Sequence, residues 1–421
     1  MIKHLLTIIW NQRRANGWIF AELLIVAGIL WFMVDAFYVD YCTYHSPLGY
    51  DISNTWRFKL NKLTEKAPGY VSDSLTHAND ADDLTLMMQR IRQNPKVEDV
   101  CASFFSCPYS NGNMWRPISP IDGDTTMTHG KGYQLRSVTP EYFRMFRIRT
   151  ADGKSAYNQV AGVHNALVIS KEMAEALYHG QKVSGRKVKY ADYDNLFTIA
   201  AVASSIRNSE YERPEMCFYQ CLDGELYAET VNDYSAQRAE LCVRMKKAYT
   251  DDDMDHFLEE MGDRLIVHNL YVSGVRSIAD SRSMQLQYKM NEAENKIALM
   301  VFMLVNVFFG IIGTFWLRMQ NRRGEVGLRM AMGASRITLK RYMFVEGLSL
   351  LVITLPLIVI LALNLWKADL IDTYRMPYSL MRFAVTFGIT YLLMGAMICI
   401  GIWLPMRKSV KLTPAEALHY E

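Results

Sequence analysis

The chain has 421 residues, a net charge of +3, a hydrophobic fraction of one half and an ordinary charged fraction of 21%. That length leaves room for more than one domain, and the composition suits a chain divided between lipid and water. The small positive balance gives no indication of nucleic-acid binding, and we expect no nucleic-acid partner.

Four apolar runs reach the length that crosses a bilayer, about 20 residues for a hydrocarbon core of ~30 Å. They cover residues 18–39, 297–317, 342–366 (interrupted by Pro356) and 380–404. Residues 40–290, between the first two runs, have the composition of a globular domain. The order predicts an α-helical membrane protein with four transmembrane helices and a large α+β domain between the first and second helices.

Lysine and arginine near the span ends predict the orientation. They concentrate before the first run, in the 318–341 connection and after the fourth run. Residues 1–17, 318–341 and 405–421 are therefore predicted to be cytoplasmic, which places residues 40–290 outside. The first run is too long and too bulky at its end for a cleaved signal peptide, so it is predicted to be a retained anchor. Residues 1–17 have apolar side chains on one side, typical of an amphipathic segment on the inner surface.

Two segments of the outer domain repeat one pattern, in which apolar residues at helical spacing follow a group of acids. The apolar positions are Leu84, Met87, Met88 and Ile91 in the first segment, and Met254, Phe257, Leu258 and Met261 in the second. Each pattern predicts a helix packed on adjacent strands. We expect an inner α/β subdomain from residues of about 55–107 and 212–280, an inserted subdomain of about 108–211, and stalks at both ends.

The second span is predicted to begin early, because no proline interrupts residues 283–321. A continuous helix of that length would measure about 58 Å and would exceed the hydrocarbon core by roughly 28 Å. The surplus would form a stalk outside the membrane. A break near Asn291 is the alternative.

Six of the seven cysteines lie in or next to the outer domain, namely Cys42, Cys101, Cys107, Cys217, Cys221 and Cys242. An oxidising compartment would permit disulfides, but the sequence cannot choose a pairing, and buried free thiols fit as well. Cys217 and Cys221 have no histidine pair beside them, so no metal site is expected.

Motifs of common enzymes are not found. GDTTMTHGKGY lacks the glycine spacing of a phosphate-binding loop, and neither H-E-x-x-H nor G-x-S-x-G occurs. Glu22, Asp35 and Glu346 fall within the predicted spans, where ionisable groups raise the question of a proton path. All three lie close enough to an interface to be hydrated or paired, and Glu346 could reach Arg341 or Arg322. No catalytic residue, metal or cofactor is predicted in this chain.

The stretch RRGEVGLRMAMGASR, residues 322–336, lies in the connection between the second and third runs. Glu325 to Met332 is long enough for about two helical turns. Gly333 suits the left-handed end of such a helix, and Ser335 suits the N-cap of the next. The pattern predicts a short helix along the membrane surface. A plain basic loop that only sets topology is the alternative.

This stretch resembles the signature of FtsX-like and MacB-like permeases, the membrane subunits of one class of ABC transport systems. The matching residues are Arg322, Glu325, Val326, Gly327, Arg329, Ala331, Gly333, Ala334 and Ser335, followed by Glu346 at the start of the third span. The tail LTPAEALHYE and the outer segments beginning YQLRSVTPEYF and NALVISKEMAE are similar to the family as well.

The resemblance implies that the short helix is a coupling helix docking on a separate cytoplasmic ATPase, which would bind the ATP and Mg²⁺. It also implies a permease dimer, with a second copy or a related permease, in the bacterial inner membrane. Membrane lipids and a periplasmic adaptor or substrate would be further partners. The expected function is mechanotransmission, which would drive efflux or extraction of a peptide, lipoprotein or small molecule. A non-transporting activator of a periplasmic enzyme and a membrane-anchored sensor are the alternatives.

Overall fold

The structure, a computed structural model, describes residues 13–72, 79–122, 132–190, 196–321, 324, 328 and 332–409. The chain divides into a helical unit, Met1–His45 with Asn291–Glu421, and a sheet unit, Ser46–Met290. The predicted amphipathic segment up to residue 12 and the tail from residue 410 lie outside the described residues.

The described α-helices are α1 (Arg13–His45), α2 (Asp80–Arg92), α3 (Glu141–Met145), α4 (Ala156–Val160), α5 (Lys171–Tyr178), α6 (Gly224–Tyr234), α7 (Asp251–Met261), α8 (Ile278–Asn321), α9 (Arg336–Lys367) and α10 (Leu380–Ser409). The strands are β1 (Thr55–Lys62), β2 (Val97–Phe104), β3 (Trp115–Arg116), β4 (Ile118–Pro120), β5 (Tyr133–Val138), β6 (Ala166–Ser170), β7 (Lys187–Tyr190), β8 (Leu196–Ala203), β9 (Cys217–Cys221), β10 (Glu240–Met245), β11 (Ile266–Val267) and β12 (Leu270–Ser277). Short 3₁₀ helices lie at Ala236–Arg238 and Gly262–Leu265.

Four helices within the described ranges are long and apolar enough to cross a membrane, judged by length and composition. The segments are Gly17–His45, Ile278–Thr314, Ile337–Lys367 and Leu380–Trp403. Each overlaps one predicted apolar run, so the prediction of four apolar helices is confirmed. α8 is continuous through Asn291, and the alternative of a break there is wrong. At 1.5 Å per residue α8 measures about 66 Å. Its role as a stalk stays a prediction.

The helical unit is built around α1, which packs against both α9 and α10. Their shared core contains Leu23, Ala27, Leu30, Leu350, Ile358, Met394 and Ile398. Gly28 allows α1 and α9 to approach closely, because a Cβ at that position would lie 2.9 Å from Leu361 Cδ2. The proline of the third predicted span, Pro356, lies inside α9.

The sheet unit contains one mixed sheet in the order β11-β12-β1-β10-β2-β5-β9-β6-β8-β7-β4, with β3 paired to β5. β1 pairs antiparallel with β10 and β12, and β10 with β2. The β5–β9 and β6–β8 pairs are parallel. β2, β5, β6, β9 and β10 are buried over nearly their whole length, as strands covered on both faces are.

The two predicted amphipathic helices are α2 and α7. In α2 the predicted positions Leu84, Met87, Met88 and Ile91 are buried, and in α7 Met254, Phe257 and Met261 are buried. Asn79 caps α2, and Thr250 with Asp253 forms a capping box on α7. The prediction of these two helices is confirmed, because each apolar stripe lies within a dozen residues of sequence, and the caps add a local start signal.

The predicted division into inner and inserted subdomains stays a prediction. One core joins side chains of residues 56–104 to those of residues 222–270, as the inner subdomain requires. However, β9, which the sequence analysis placed in the inner part, pairs with β5 and β6 of the predicted insertion. The strands of both parts belong to a single sheet.

Because of Asp80, the stability of the sheet unit should decrease as the pH becomes acidic. Its carboxylate accepts hydrogen bonds from Ala236 N (2.7 Å) and Ser235 Oγ (2.8 Å), and it pairs with Lys62. Burial acts to raise the pKa of Asp80, but these three donors outweigh burial and lower the pKa. The unfolded chain therefore takes up this proton first, near an ordinary pKa of about 3.9. The contribution of ionised Asp80 to the free energy of unfolding is complete above that pH. It is lost as the pH falls through the lowered pKa of the folded state.

We therefore expect Asp80→Asn to cost about 1–2 kcal/mol of unfolding free energy at pH 7 and to flatten its pH dependence below about pH 5. Thermal unfolding of the full chain between pH 7 and pH 3 measures both effects. Asp255→Asn, at an exposed position of α7, is the control and should change neither. An unchanged pH slope in Asp80→Asn would contradict the assignment.

Candidate functional site

The connection between α8 and α9 contains the predicted coupling residues. Six of them lie outside the described residues, namely Arg322, Glu325, Val326, Gly327, Arg329 and Ala331. Gly324 and Leu328 are helical, and Met332 N donates to Leu328 O at 3.0 Å, which is an α-helical bond. A helical turn therefore reaches Met332.

Gly333, Ala334 and Ser335 separate that turn from α9. Gly333 has a φ of +92°, a backbone conformation that favours glycine, although nothing lies within 4 Å of a Cβ placed there. Glycine is favoured at this position because of its backbone conformation, and not because a side chain would clash with a neighbour. Ser335 is the N-cap of α9, and its hydroxyl accepts from Thr338 N at 3.2 Å. The predicted local geometry of Gly333 and Ser335 is confirmed, while their role in coupling stays a prediction.

Glu346 lies in the third turn of α9, and only 3% of its surface is exposed. Its burial suits a structural position inside the helical unit rather than a hydrated one. Glu22 of α1 lies near α8: its Oε1 would be 3.0 Å from a Cβ at Gly310, and its carboxyl accepts a hydrogen bond from Thr314. Gly310 therefore leaves the space that Glu22 occupies.

Asp35 of α1 and Arg382 of α10 form a buried ion pair. Arg382 Nε donates to Asp35 Oδ1 at 2.9 Å, and Arg382 Nη2 donates to Asp35 Oδ2. Side-chain exposure is 0% for Arg382 and 3% for Asp35. The pair is bidentate, the strongest arrangement of an arginine and a carboxylate.

The remaining donors of Arg382 bind the connection between α9 and α10. Nη1 donates to the carbonyl oxygens of Asp372 (2.8 Å) and Met376 (2.7 Å). The ring of Tyr378 lies below the guanidinium, 5.5 Å from centroid to Cζ. Arg382 therefore joins α1, α10 and residues 372–378.

Arg375 also pairs with a carboxylate of α1 and with the connection between α9 and α10, at the more exposed edge of the buried ion pair. Its Nη1 donates to Asp40 of α1 at 2.6 Å, and its Nε donates to Asp372. Burial acts to raise the pKa of Asp372, but the hydrogen bonds and charge of Arg375 outweigh burial and lower it. The five residues Asp35, Asp40, Asp372, Arg375 and Arg382 are called the Arg382 network below.

Aromatic side chains cover the network. Trp31 is fully buried, and its Nε1 donates to Thr386 Oγ1 of α10 at 3.2 Å. Trp31 packs with Ala362, Ile371, Tyr378 and Phe383. The cover keeps the ion pair away from solvent, where its attraction would be screened.

From the sequence, Asp35 falls within a predicted span, and no partner on another span is predicted for it. Asp35 and Arg382 are 347 positions apart, and no local pattern connects them. A carboxylate and an arginine at the same end of two predicted spans were the available signal. A predicted span that contains one charge calls for the opposite charge at the same depth of another span.

The sheet unit carries an open groove of about 880 Å³ between β1, β12 and residues 105–112. Arg57, Lys59, Arg238 and Arg276 line it, with Glu240 as the acidic group. Arg57 and Arg276 are direct cross-strand partners. Within the described ranges, no carboxylate forms an ion pair with Lys59, Arg238 or Arg276. The groove therefore favours anionic ligands.

Residues 297–414 match the family model of the FtsX-like permease C-terminal domain. This part of the chain is an FtsX-like permease domain. The resemblance drawn from the sequence is thereby confirmed. FtsX-like permeases are components of ABC systems and are not themselves catalytic. No curated protein sequence matches the chain.

The chain also has matches among solved structures at low sequence identity. One is a permease-protein domain from Porphyromonas gingivalis, with 16% identity, a TM-score of 0.35, and coverage of 55% of this chain and 92% of that one. Another is the periplasmic region of MacB from Actinobacillus actinomycetemcomitans, with 11% identity, a TM-score of 0.34, and coverage of 56% and 94%. A third is the extracellular domain of the transporter YknZ from Gram-positive bacteria, with 15% identity, a TM-score of 0.30, and coverage of 52% and 100%.

The permease domain contains α9, the connection with Asp372 and Arg375, and α10 with Arg382. Asp35 and Asp40 come from α1, which precedes the matched residues. The Arg382 network therefore attaches the permease domain to the first helix of the chain.

Proposed function

We propose that this chain is the permease subunit of a MacB-like or FtsX-like ABC system. It would couple ATP hydrolysis by a separate cytoplasmic ATPase to a conformational change of the sheet unit. The permease-domain match over residues 297–414 carries this proposal. The signature residues Arg322 to Ser335 support it, since they stand where such a domain would meet its ATPase.

The proposed orientation follows the basic residues. The connection before α9 would face the cytoplasm and the sheet unit would lie outside the inner membrane. By chain connectivity, α1 leads into the sheet unit and α8 leads out of it. A displacement of α1 or α8 therefore has a direct covalent path to the sheet unit.

The proposed coupling path begins at Gly333. The helical turn that reaches Met332 would dock on the ATPase, and the cap at Ser335 starts α9 two residues after the glycine. Movement of the docked turn would be passed to α9 and then to α1, against which α9 packs. Because the Arg382 network joins α1 to α10, these two helices would move together when α9 moves.

The cargo would be a peptide, a lipoprotein or a small molecule that the sheet unit releases or extracts. The groove supports a cargo or adaptor segment with acidic groups, because its lining is rich in arginine and lysine. The ATP and Mg²⁺ would be bound by the partner ATPase. A dimer with a second permease copy or a related permease completes the proposed assembly.

Charge reversal at Arg329 tests the proposal. We expect Arg329→Glu to weaken association with the ATPase at least about tenfold, because reversing one interface charge costs more than 1.4 kcal/mol. The tagged full chain is purified from the native host in mild detergent, and the copurifying protein with a phosphate-binding loop is quantified by mass spectrometry. ATP hydrolysis by the purified complex is the second readout.

Lys411→Glu is the matched control, since it reverses a basic residue predicted on the same side of the membrane. It should leave both copurification and hydrolysis unchanged. Equal recovery of the ATPase with Arg329→Glu and with the unmodified chain, at equal membrane levels, would reject the coupling assignment.

A further inference from the structure

Three cysteines of the sheet unit meet in one buried cluster. Cys101 lies on β2 and Cys242 on β10, at directly opposite positions of the antiparallel ladder. Cys107 follows β2 in the loop of residues 105–112. Their exposed fractions are 0%, 0% and 5%. All three are thiols in this structure.

Two of the three sulfur atoms are placed to bond. Cys242 Sγ donates to Cys107 Sγ at 3.4 Å. A disulfide bond is about 2.05 Å long, so these sulfurs need to approach by only roughly 1.3 Å. Cys101 also contacts Cys242, but its own thiol proton is donated to Met145 Sδ at 2.9 Å.

The loop that carries Cys107 is held in place next to β10. The carboxylate of Glu240 accepts from Ser106 N (2.7 Å) and Cys107 N (2.6 Å), and Tyr142 Oη donates to Ser106 O (2.7 Å). Phe105, Tyr109 and Asn111 adopt left-handed φ angles of 53°, 58° and 57°. The position of Cys107 is therefore set by several hydrogen bonds before any covalent link exists.

We propose that Cys107 and Cys242 form a disulfide in the mature protein and that Cys101 stays a thiol beside it. This inference rests on the proposed placement of the sheet unit outside the membrane, where disulfides persist. Each thiol loses its proton, the two sulfurs lose two electrons in total, and the S–S bond forms. A protein disulfide donor accepts the two electrons and two protons and leaves as a dithiol.

The reaction belongs to folding rather than to the folded protein. The interaction with the Cys242 thiol and burial raise the pKa of Cys107, so little thiolate is present once the core has closed. Cys107 and Cys242 are 135 positions apart. A bond between them restricts the unfolded chain over that length and stabilises the folded sheet unit. The Cys107–Cys242 bond also fixes the loop that contributes Phe105 and Tyr109 to the lining of the open groove.

The first experiment determines the thiol state of the full-length protein. Cells are quenched in acid and free thiols are alkylated under denaturing conditions. The purified chain is then digested without reductant. We expect the peptides of Cys107 and Cys242 to be joined and the peptide of Cys101 to be alkylated. Alkylation of both Cys107 and Cys242, or a joined peptide that contains Cys101, would overturn the proposal.

A second arm separates this inference from the proposed orientation. Glu229→Cys places a reporter at an exposed position of α6, which a membrane-impermeant maleimide labels only if the sheet unit is outside. If the reporter is not labelled in intact cells, the orientation has failed. The pairing is then tested on the purified full chain, unfolded and refolded with an oxidised dithiol donor. Joining of Cys107 to Cys242 supports the pairing, whereas other pairs or no joined peptides reject it.

Matched variants measure the contribution of the bond. Cys107→Ser and Cys242→Ser should each lower the melting temperature of the oxidised protein by about 5–15 °C, and the double variant should add little. Reductant during refolding should lower the melting temperature of the unmodified chain by the same amount. It should not change the melting temperature of Cys107→Ser or Cys242→Ser. Cys221→Ser, at a buried position outside the cluster, keeps the bond, so reductant should lower its melting temperature as much as that of the unmodified chain. A reductant effect that persists in Cys107→Ser would contradict the assignment.

Discussion

Replacing Arg382 with alanine should destabilise the helical unit by about 3–5 kcal/mol, because it leaves the Asp35 carboxylate buried without its partner. Asp35 is 2% exposed and lies inside α1, so water cannot replace the guanidinium without opening the helix contacts. The carbonyl oxygens of Asp372 and Met376 lose their donor at the same time. Under the proposed function, loss of the tie between α1 and α10 should also reduce ATPase-driven movement of the cargo.

Thermal unfolding of the purified full chain in detergent measures the first effect, and limited proteolysis of the α9–α10 connection reports its loosening. Arg375→Ala is the control: the Arg375 side chain is 21% exposed, and its pairs lie at the rim. It should cost about 1 kcal/mol or less.

A double variant, Asp35→Leu with Arg382→Leu, should recover most of the loss, since it removes both charges together. If Arg382→Ala and Arg375→Ala had equal effects, the buried pair would have no special importance. If the double variant were as unstable as Arg382→Ala, the loss would come from packing instead of from an unpaired charge.

The sequence predicts the helical unit well for a physical reason. A span needs about 20 apolar residues in one continuous run, so its signal is local and strong. Gly333 and Ser335 were also predictable, because a left-handed position and an N-cap each depend on the residue at that position. The apolar stripes of α2 and α7 are local signals of the same kind.

Long-range partners were not predictable by that reasoning. Asp35 and Arg382 meet only because α1 and α10 pack side by side, and nothing near either residue specifies the other. The position of β9 between β5 and β6 depends on strand pairing across the whole sheet unit, which a single short apolar strand does not encode. The coupling role proposed for residues 322–335 would depend on the surface of another protein, so the sequence of this chain alone cannot specify it.

Replacing Glu240, at the start of β10, is the second change that should cause a large loss of stability. One carboxylate oxygen, Oε2, accepts from Ser103 Oγ (3.0 Å), Ser106 N (2.7 Å) and Cys107 N (2.6 Å). The other lies 3.7 Å from Arg57 Nη2. The Glu240 side chain is 5% exposed, and the residues whose amides it binds are buried as well. Glu240 thus satisfies backbone donors of a loop that has no strand partner for them.

Glu240→Ala should therefore cost about 3–5 kcal/mol, the sum of two buried amides and one hydroxyl left without an acceptor at roughly 1–3 kcal/mol each, less some relaxation. Unfolding of the full chain in urea measures the loss. Hydrogen exchange of the 105–112 segment should rise at least about a hundredfold, because its anchoring bonds are removed. Glu240→Gln retains one acceptor oxygen and should lose less than half as much.

Glu98→Ala is the surface control, since Glu98 is 43% exposed and its contact with Arg147 Nη2 is 3.6 Å long. It should change stability by no more than about 0.5 kcal/mol. Exchange in the 105–112 segment that is equally slow in Glu240→Ala and Glu98→Ala would show that other contacts hold the loop. In that case Cys107 would owe its position to the Tyr142–Ser106 hydrogen bond and to side-chain packing, and the groove wall would be independent of β10.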